Sequence, residues 1–256
     1  MLKASGLLRT ITERLTRGMI LKRRMIVNGK NCTLLISPDA QLKYLKFGRG
    51  AFDQDLIGIA EKYVHSKSNV WDIGANVGVF TFASASIAKE GAVLSVEADI
   101  WLAGILRKTA LLREYSSRNI IVLPIAVSNK NSIETFLIAQ RGRASNTLEN
   151  VGGRSQMGGV REKQYVPTKT LDSLLEDIVA PDFVKIDIEG TEYIALQGAT
   201  TLLNEIRPLF YIETGANVSD QILDLFHKAN YGAFDRQGKP LKDKCDINTF
   251  FIPKEY

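Results

Sequence analysis

The segment best suited to chemistry is residues 70–78, where an apolar run leads into an aspartate and closely spaced glycines. Asp72, Gly74, Asn76 and Gly78 follow one another at every second position, and a stretch rich in small residues (79–88) comes next. A strand, a glycine turn and a helix in this order are typical of the ligand site of an open α/β sheet. Glycine adopts positive φ and lets backbone approach a ligand, and the helix N-terminus supplies free N–H groups.

The spacing of these residues indicates which ligand the turn would bind. A dinucleotide fingerprint has three glycines in the pattern G-x-G-x-x-G, and the third glycine is missing here. The Asp72 carboxylate would repel a pyrophosphate, but it could hold the ammonium group of a ligand. This favours an amino-acid-bearing nucleotide such as S-adenosylmethionine over NAD. The alternative is a glycine turn that only lets the helix pack on the strand.

Carboxylates recur where the predicted strands end, at Asp72, Glu97, Asp187 and Glu213. Ligands of open α/β sheets bind outside the carboxyl ends of the strands. Glu97 follows the glycine turn by about 20 residues, the interval at which an acid accepts hydrogen bonds from ribose hydroxyls. An acid that only caps the next helix is the alternative, and we favour ribose binding.

The strand that ends near Asp187 carries three alternating charged residues, Lys185, Asp187 and Glu189. A period of two places them on one side if the strand stays extended. A lysine inside a buried strand is costly unless it is paired. We therefore predict that Lys185 pairs with Asp187 or another acid and that the group lines the pocket of the reacting centre. A purely structural ion pair is the alternative.

These residues need a sheet to position them, and the pattern of apolar runs predicts one. Strands alternate with helices until two strands come close together near the end, which indicates a mostly parallel sheet with an antiparallel edge pair. The predicted strands are 70–73, 92–96, 120–123, 133–138, 182–187, 209–212, 231–235 and 248–252. Predicted helices include 53–65, 99–115, 171–178, 191–203 and 219–230.

Three segments are predicted along the chain. Residues 1–24 form a basic amphipathic arm, residues 25–68 a lead-in of hairpin and helix, and residues 69–256 the ligand-binding domain. The hairpin turns at Asn28-Gly29, a type I′ signature. The arm would pack on the body or on a second subunit, or else touch an acidic surface, and we favour packing. The polar loop 139–163 is predicted to be either a functional lid or a disordered insertion.

Charge and composition argue against several classes of protein. The net charge is +5, but residues 1–30 hold eight basic residues and one acidic residue, so the rest of the chain is slightly acidic. A nucleic-acid surface would need basic residues clustered on the folded body, so no nucleic-acid partner is predicted. The chain has no apolar run of transmembrane length. Cys32 and Cys245 lie far apart, which predicts no metal site or disulfide framework and favours the cytoplasm.

With these residues in view, the chain resembles the FkbM family of S-adenosylmethionine-dependent methyltransferases. The resemblance extends over residues 50–253, and its most specific part is 183–192 (Phe-Val-Lys-Ile-Asp-Ile-Glu-Gly-Thr-Glu). The other matching segments are 70–78, 93–97, 124–128 and 170–174. It implies a class I methyltransferase fold: a Rossmann-like, seven-stranded, mostly parallel sheet with an antiparallel last strand, here preceded by an N-terminal helix and a hairpin.

The resemblance also implies roles for the site residues. S-adenosylmethionine would be the donor, and the acceptor would be a hydroxyl of a sugar, a glycan or a small metabolite. The methionine end would lie against Asp72, Gly74, Ala75, Asn76 and Gly78, the ribose against Glu97 and the adenine against Ala126. The acceptor would face Asp187 and Glu189, with Lys185 beside them as a further candidate catalytic residue.

Methyl transfer to an alcohol is an in-line displacement in which the protein aligns the reactants and helps to remove a proton. Both histidines, His65 and His227, lie far from the motifs, so a carboxylate is the candidate base, Asp187 before Glu189. A divalent cation held by Asp187, Glu189 and Glu213 is ranked below a metal-free site. The competing hypotheses are a nicotinamide-dependent oxidoreductase and a non-catalytic binding module of the same fold.

Overall fold

The structure is a computed structural model that describes residues 12–140, 142–149 and 158–255. Its strands are β1 (Leu21–Val27), β2 (Lys30–Ile36), β3 (Val70–Ile73), β4 (Ala92–Val96), β5 (Asn119–Leu123), β6 (Ala126–Val127), β7 (Ser132–Ala139), β8 (Thr147–Leu148), β9 (Val160–Lys169), β10 (Phe183–Ile186), β11 (Leu209–Glu213), β12 (Tyr231–Phe234), β13 (Pro240–Leu241) and β14 (Asn248–Pro253). Its α-helices are α1 (Gln54–Tyr63), α2 (Val79–Ile87), α3 (Ile100–Ala110), α4 (Leu171–Leu174), α5 (Glu192–Gln197) and α6 (Ser219–Lys228).

The main sheet of the described residues has eight strands in the order β13-β12-β14-β11-β10-β3-β4-β5. Neighbours from β11 to β5 are parallel, and β14 runs antiparallel between β11 and β12. This confirms the predicted Rossmann-like sheet with an antiparallel last strand, to which the two-residue β13 adds an edge. Every residue of β3, β4 and β10 is buried, as expected when both faces of a parallel sheet are covered.

Two apolar cores cover the two faces of the main sheet. One contains residues of the β1–β2 hairpin, α1, α2 and α3, among them the fully buried Phe80 and Phe82. The other contains residues of α4, α5 and α6, among them Phe226. Helices on both faces of a mostly parallel sheet are the doubly wound arrangement, which leaves the carboxyl ends of β3, β4 and β10 free to hold a ligand.

The predicted hairpin is present, and its turn has the predicted type. Asn28 and Gly29 have φ values of 47° and 73°, the positive pair that a type I′ turn requires. β1 begins at Leu21, four residues earlier than the predicted strand, so it overlaps the predicted arm. The hairpin docks on the body through the Thr109 hydroxyl, which accepts a hydrogen bond from Leu35 N at 3.1 Å. Of the arm helix predicted for residues 4–15, residues 4–11 lie outside the described residues.

A second, four-stranded sheet of described residues, in the order β6-β9-β7-β8, corrects the predicted loop 139–163. β8 and the start of β9 fall inside that loop, while residues 141 and 150–157 lie outside the described residues. β9 pairs with β7 along its length. Its sequence is charged, and only Val166 and Thr168 of the strand are buried. A strand that buries so few side chains carries little apolar periodicity to predict it.

Three predicted helices are shorter than expected. The helix predicted for 99–115 ends at Ala110, and a 3₁₀ turn follows at Arg113–Tyr115. The one predicted for 171–178 ends at Leu174. The one predicted for 191–203 ends at Gln197, before Gly198, and a π-helical turn follows at Leu202–Ile206. Within the described ranges, no helix combines the length and the apolar character needed to cross a membrane.

Gly74 and Gly104 offer a matched test of the turn that follows β3. Gly74 has a φ of +80°, and a Cβ there would lie 1.9 Å from the Asp187 carbonyl oxygen, whereas a Cβ at Gly104 in α3 meets nothing within 4 Å. We expect Gly74→Ala to lower the free energy of unfolding by more than about 2 kcal/mol because of backbone strain and the clash. We expect Gly104→Ala to raise it by roughly 0.5–1 kcal/mol. Urea denaturation measures both, and equal effects would contradict the described turn.

Candidate active site

A cavity of about 280 Å³ opens at the carboxyl ends of β3, β4, β10 and β11. Its size is close to the lower end of small-molecule sites. The predicted site residues that line it are Gly74, Ala75, Asn76, Glu97, Ala126, Lys185, Asp187 and Glu189. Asp72 and Gly78 are not among the lining residues. One pocket therefore gathers residues that the chain separates by more than 100 positions.

The turn after β3 is held by backbone hydrogen bonds. Gly74 N and Ala75 N both donate to the Val96 carbonyl, at 2.9 and 3.0 Å. Gly74, Asn76 and Gly78 all have positive φ, so alternate residues turn left-handed and the chain folds back tightly. Among the described residues, the buried Asn76 Oδ1 has no hydrogen-bond partner. Because Asn76 lines the cavity, this atom can accept a hydrogen bond from a ligand.

Glu97 lies at the end of β4, and its side chain is nearly closed off from solvent at 7% exposure. Its Oε2 accepts a hydrogen bond from Asn76 N at 2.7 Å, and its Oε1 accepts one from Asp99 N at 2.8 Å. Burial and the neighbouring Asp99 charge raise the pKa of Glu97 to about 7. Each carboxylate oxygen still has a second acceptor position, which is what binding of two vicinal hydroxyls requires.

Lys185 of β10 is buried between the turn and two carboxylates. Its Nζ donates to the Gly74 carbonyl at 2.8 Å and lies 3.1 Å from Asp72 Oδ1 and 3.7 Å from Asp187 Oδ2. Burial acts to lower the pKa of Lys185, but Asp72 and Asp187 outweigh burial and the pKa is raised. The side chain therefore stays an ammonium ion, pairs with two acids rather than one, and cannot serve as a base.

Asp72 does not reach the cavity, in contrast to the expected direct contact with a ligand. It is fully buried; its Oδ2 accepts a hydrogen bond from the Thr81 hydroxyl at 2.6 Å, and its Oδ1 faces Lys185. The reason is the sheet register, because Asp72 lies directly beside Lys185 on the neighbouring strand. Gly78 also lies below the cavity, where it begins α2 and approaches the Leu106 and Phe82 side chains.

Asp187 and Glu189 line the cavity beyond the end of β10, although the strand ends at Ile186 and the extended alternation stops there. Asp187 N donates to the Ile73 carbonyl at 3.0 Å, which fixes Asp187 against β3. The Asp187 side chain is 32% exposed, so it is open to a substrate. Glu189 has a φ of 53°. The Glu192 carboxylate braces this turn by accepting a hydrogen bond from Gly190 N at 2.9 Å.

Ala126 contributes to an apolar wall at the other end of the cavity. It belongs to β6 and packs in a small cluster with Phe136 and Leu148 of the second sheet. All three line the cavity. Phe136 and Leu148 were not predicted, because they lie in or next to the segment that the sequence indicates as a loop.

Several other lining residues come from segments that carry no motif. Tyr44, Asp53 and Asp55 belong to the lead-in, and Arg236 and Asn248 follow α6. No spacing in the sequence connects these segments, so only the tertiary structure could reveal them. Arg236 forms an ion pair with Asp55 that joins the two segments at the rim.

Asp187, Glu189 and Glu213 are the carboxylates that a divalent cation in this site would need. All three line the cavity. In the part of the chain that the structure describes, however, no group of three or more His, Cys, Asp or Glu side chains is placed to hold a metal ion. The three carboxylates therefore do not converge as that alternative required.

Comparison with known sequence families identifies the family of the chain. The sequence profile of the Methyltransferase FkbM domain matches residues 72–232, which is more than half of the chain. The chain belongs to the FkbM methyltransferase family. This membership confirms the resemblance to a family of S-adenosylmethionine-dependent methyltransferases, and it leaves the oxidoreductase hypothesis without support. A search of curated proteins found no match.

Solved structures of methyltransferases are similar to the chain at low identity. The FkbM methyltransferase from Methylobacillus flagellatus KT is 16% identical, with 84% of this chain and 58% of that chain covered and a TM-score of 0.44. The T. Thermophilus 16S rRNA N2 G1207 methyltransferase in complex with AdoMet and guanosine is 13% identical (92% and 50% covered, TM-score 0.48). M. jannaschii TYW2 in complex with AdoMet is 13% identical (91% and 84% covered, TM-score 0.44). The chain thus spans 58% of the length of the M. flagellatus protein.

The residues of the FkbM-family cavity fit an S-adenosylmethionine molecule. The unpartnered Asn76 Oδ1 can accept from an ammonium group, and the second acceptor positions of Glu97 suit ribose hydroxyls. The apolar wall beside Ala126 suits a planar ring.

The raised pKa of Glu97 predicts a pH-dependent stability. In the folded protein Glu97 keeps its proton up to about pH 7, whereas in the unfolded chain it loses it near the ordinary value of 4.5. The folded state therefore binds more protons between these pH values, so stability falls as pH rises from 4.5 through 7. Relative to Glu97→Gln, we expect the free energy of unfolding of the wild type to fall by roughly 3 kcal/mol as the pH rises through this range. Urea denaturation at several pH values measures the difference.

The same replacement at the exposed Glu176 serves as the control, because it changes the charge of the protein equally without affecting a buried group. Curves for wild type and Glu97→Gln that run parallel from pH 4.5 to 8 would contradict the described environment of Glu97.

Proposed function

We propose that the protein transfers a methyl group from S-adenosylmethionine to a hydroxyl of a sugar, a glycan or a small metabolite. The observation that carries this proposal is the continuity of one cavity, with the Gly74 turn and Glu97 at one end and the Asp187 carboxylate beside them. The Gly74 turn packs directly against the Asp187 backbone. A methyl group held by the turn would therefore lie close to Asp187.

The donor would lie along the carboxyl ends of β3 and β4. Its methionine end would bind the backbone of Gly74 and Ala75 and the Asn76 side chain, its ribose would bind Glu97, and its adenine would lie beside Ala126. Support comes from the unpartnered Asn76 Oδ1, the position of Glu97 and the apolar cluster around Ala126. In this arrangement Asp72 acts behind the turn, through Lys185, rather than on the ligand.

We assign to Asp187 the role of the base that accepts the proton of the acceptor hydroxyl. The sulfonium of the donor is already a strong electrophile, so the protein has to align the hydroxyl with the methyl group and accept the proton that leaves. Asp187 is open to the cavity, and its Oδ2 lies 3.7 Å from Lys185 Nζ. This ion pair restricts the position of the Asp187 carboxylate. Glu189 lies further along the same wall and is the second candidate.

The charges of the acceptor side support an uncharged, hydroxyl-rich acceptor. Five lining carboxylates face this part of the cavity, and the basic groups near them are Lys43, Lys185 and Arg236. Arg236 is already paired with Asp55. The carboxylates on this side are Asp53, Asp55, Asp187, Glu189 and Glu213. A surplus of negative charge repels phosphate and accepts hydrogen bonds from sugar hydroxyls, which favours a carbohydrate over a nucleic acid.

The other expectations from the sequence stay predictions. They are the division into arm (1–24), lead-in (25–68) and methyltransferase domain (69–256), the docking of the arm on the body or a second subunit, and a cytoplasmic location.

Donor and acceptor are tested separately. Calorimetric titration should show one S-adenosylhomocysteine bound per chain and no binding of NAD. A screen of glycans and small metabolites with labelled S-adenosylmethionine should then find an acceptor whose hydroxyl receives the label. Binding without transfer to any acceptor would favour the non-catalytic module instead.

With the acceptor found, Asp187→Asn tests the base. We expect the rate of methyl transfer to fall by about 100-fold or more, while affinity for S-adenosylhomocysteine changes little. Asp243→Asn, at an exposed position far along the chain, is the matched control and should retain the wild-type rate. A wild-type rate in Asp187→Asn would remove Asp187 from the reaction.

A further inference from the structure

A buried ionic cluster lies next to the donor end of the cavity, outside the reacting centre. The Arg143 guanidinium contacts Asp99 Oδ2 through Nη1 at 2.5 Å and Asp39 Oδ2 through Nε at 3.2 Å. Arg161 Nη1 lies 2.8 Å from the other carboxylate oxygen of Asp39, Oδ1. Arg143 also lies over the Trp101 ring, 4.7 Å from its centroid. The cluster thus joins the lead-in, the start of α3 and the segment between β7 and β8.

Asp99 connects this cluster to Glu97. Its backbone N–H donates to Glu97 Oε1 at 2.8 Å, and its own carboxylate is fully buried and close enough for its charge to raise the pKa of Glu97. The Asp99 carboxylate also caps α3, accepting from Trp101 N at 2.9 Å, and it accepts from Asn146 Nδ2 at 2.9 Å. An ionised carboxylate in this buried position opposes a second charge on Glu97, because little water screens the two.

We propose that Arg143 is a positioning residue for the methyl donor: by neutralising Asp99, it lets Glu97 carry the charge with which it binds the ribose. The inference rests on the proposed function, in which Glu97 is the ribose ligand. Arg143 itself need not touch the ribose. Its role is to set the charge of the Glu97 carboxylate, which contacts the ribose.

The charged groups that face Glu97 come from separate elements. Asp99 at the start of α3 opposes its ionisation, and Lys185 of β10 favours it. The backbone N–H groups of Asn76 and Asp99 also favour the ionised form. Arg143 acts on this balance through Asp99. Loss of Arg143 should therefore make Glu97 harder to ionise, and loss of the Asp99 charge should make it easier.

Opposite shifts in the pH dependence of ligand binding distinguish this role from structural damage. S-adenosylhomocysteine affinity would be measured by calorimetry from pH 5.5 to 8.5, with proton release obtained from buffers of different ionisation enthalpy. The wild type should bind about tenfold more tightly at pH 8 than at pH 6, with a midpoint near 7. Arg143→Met should move the midpoint up by about one pH unit, and Asp99→Asn, which keeps the helix cap, should move it down by about as much.

Two variants serve as controls for the cluster. Arg143→Lys keeps the positive charge and should hold the midpoint near the wild-type value. Arg161→Met removes a cation that contacts Asp39 and not Asp99, so it should shift the midpoint much less than Arg143→Met. Far-UV circular dichroism shows which variants are folded, and Asp99→Asn tests the inference even if Arg143→Met does not fold.

The outcomes separate the two proposals. If Glu97→Gln flattens the pH profile but neither Arg143→Met nor Asp99→Asn moves the midpoint, the inference is overturned and the ribose role of Glu97 stands. If Glu97→Gln keeps the wild-type profile, or the wild type does not bind S-adenosylhomocysteine, the proposed donor site is overturned and this inference with it. Midpoints that move in opposite directions, with Arg143→Lys near the wild type, support the inference.

Discussion

The buried ammonium group of Lys185 is the interaction on which the site depends. A charge removed from water must be fully paired, and Lys185 meets this need with the Gly74 carbonyl, Asp72 and Asp187. Those three partners belong to the turn after β3, to β3 itself and to the segment that follows β10. One side chain thereby fixes the distance between the two halves of the cavity. The pairing also explains why Asp72 is turned inward, away from the cavity.

Steric limits of the turn reinforce this electrostatic constraint. The Gly74 backbone lies against the Asp187 carbonyl so closely that no side chain fits between them. The same turn brings Asn76 N to Glu97, which joins the ends of β3 and β4. The proposed donor site is therefore built from contacts among strand ends. Because this scaffold is already ordered, it holds reacting groups in place without a further loss of conformational entropy when a ligand binds.

The sequence predicted the parts of this arrangement that depend on local chain chemistry. The positive φ values of the turn, the position of Glu97 at the end of β4 and the pairing of Lys185 all follow from spacing and strand polarity. The sheet was predictable because its buried strands are mostly apolar. By contrast, β9 buries few side chains, so its charged sequence indicated a loop. The inward orientation of Asp72 depended on strand register, which the spacing of residues along one strand does not reveal. Arg143, Arg236 and Asp53 enter the site from remote segments, and no local pattern connects them with the strand ends.

The central claim is that the donor lies between the Gly74 turn and Glu97, with its reactive end toward Asp187. A crystal structure of the protein with S-adenosylhomocysteine tests it most directly. The account predicts both ribose hydroxyls within hydrogen-bond distance of the Glu97 carboxylate, the amino-acid end against Gly74 to Asn76, and the sulfur facing Asp187. A ligand bound elsewhere, or with its ribose away from Glu97, would contradict the account.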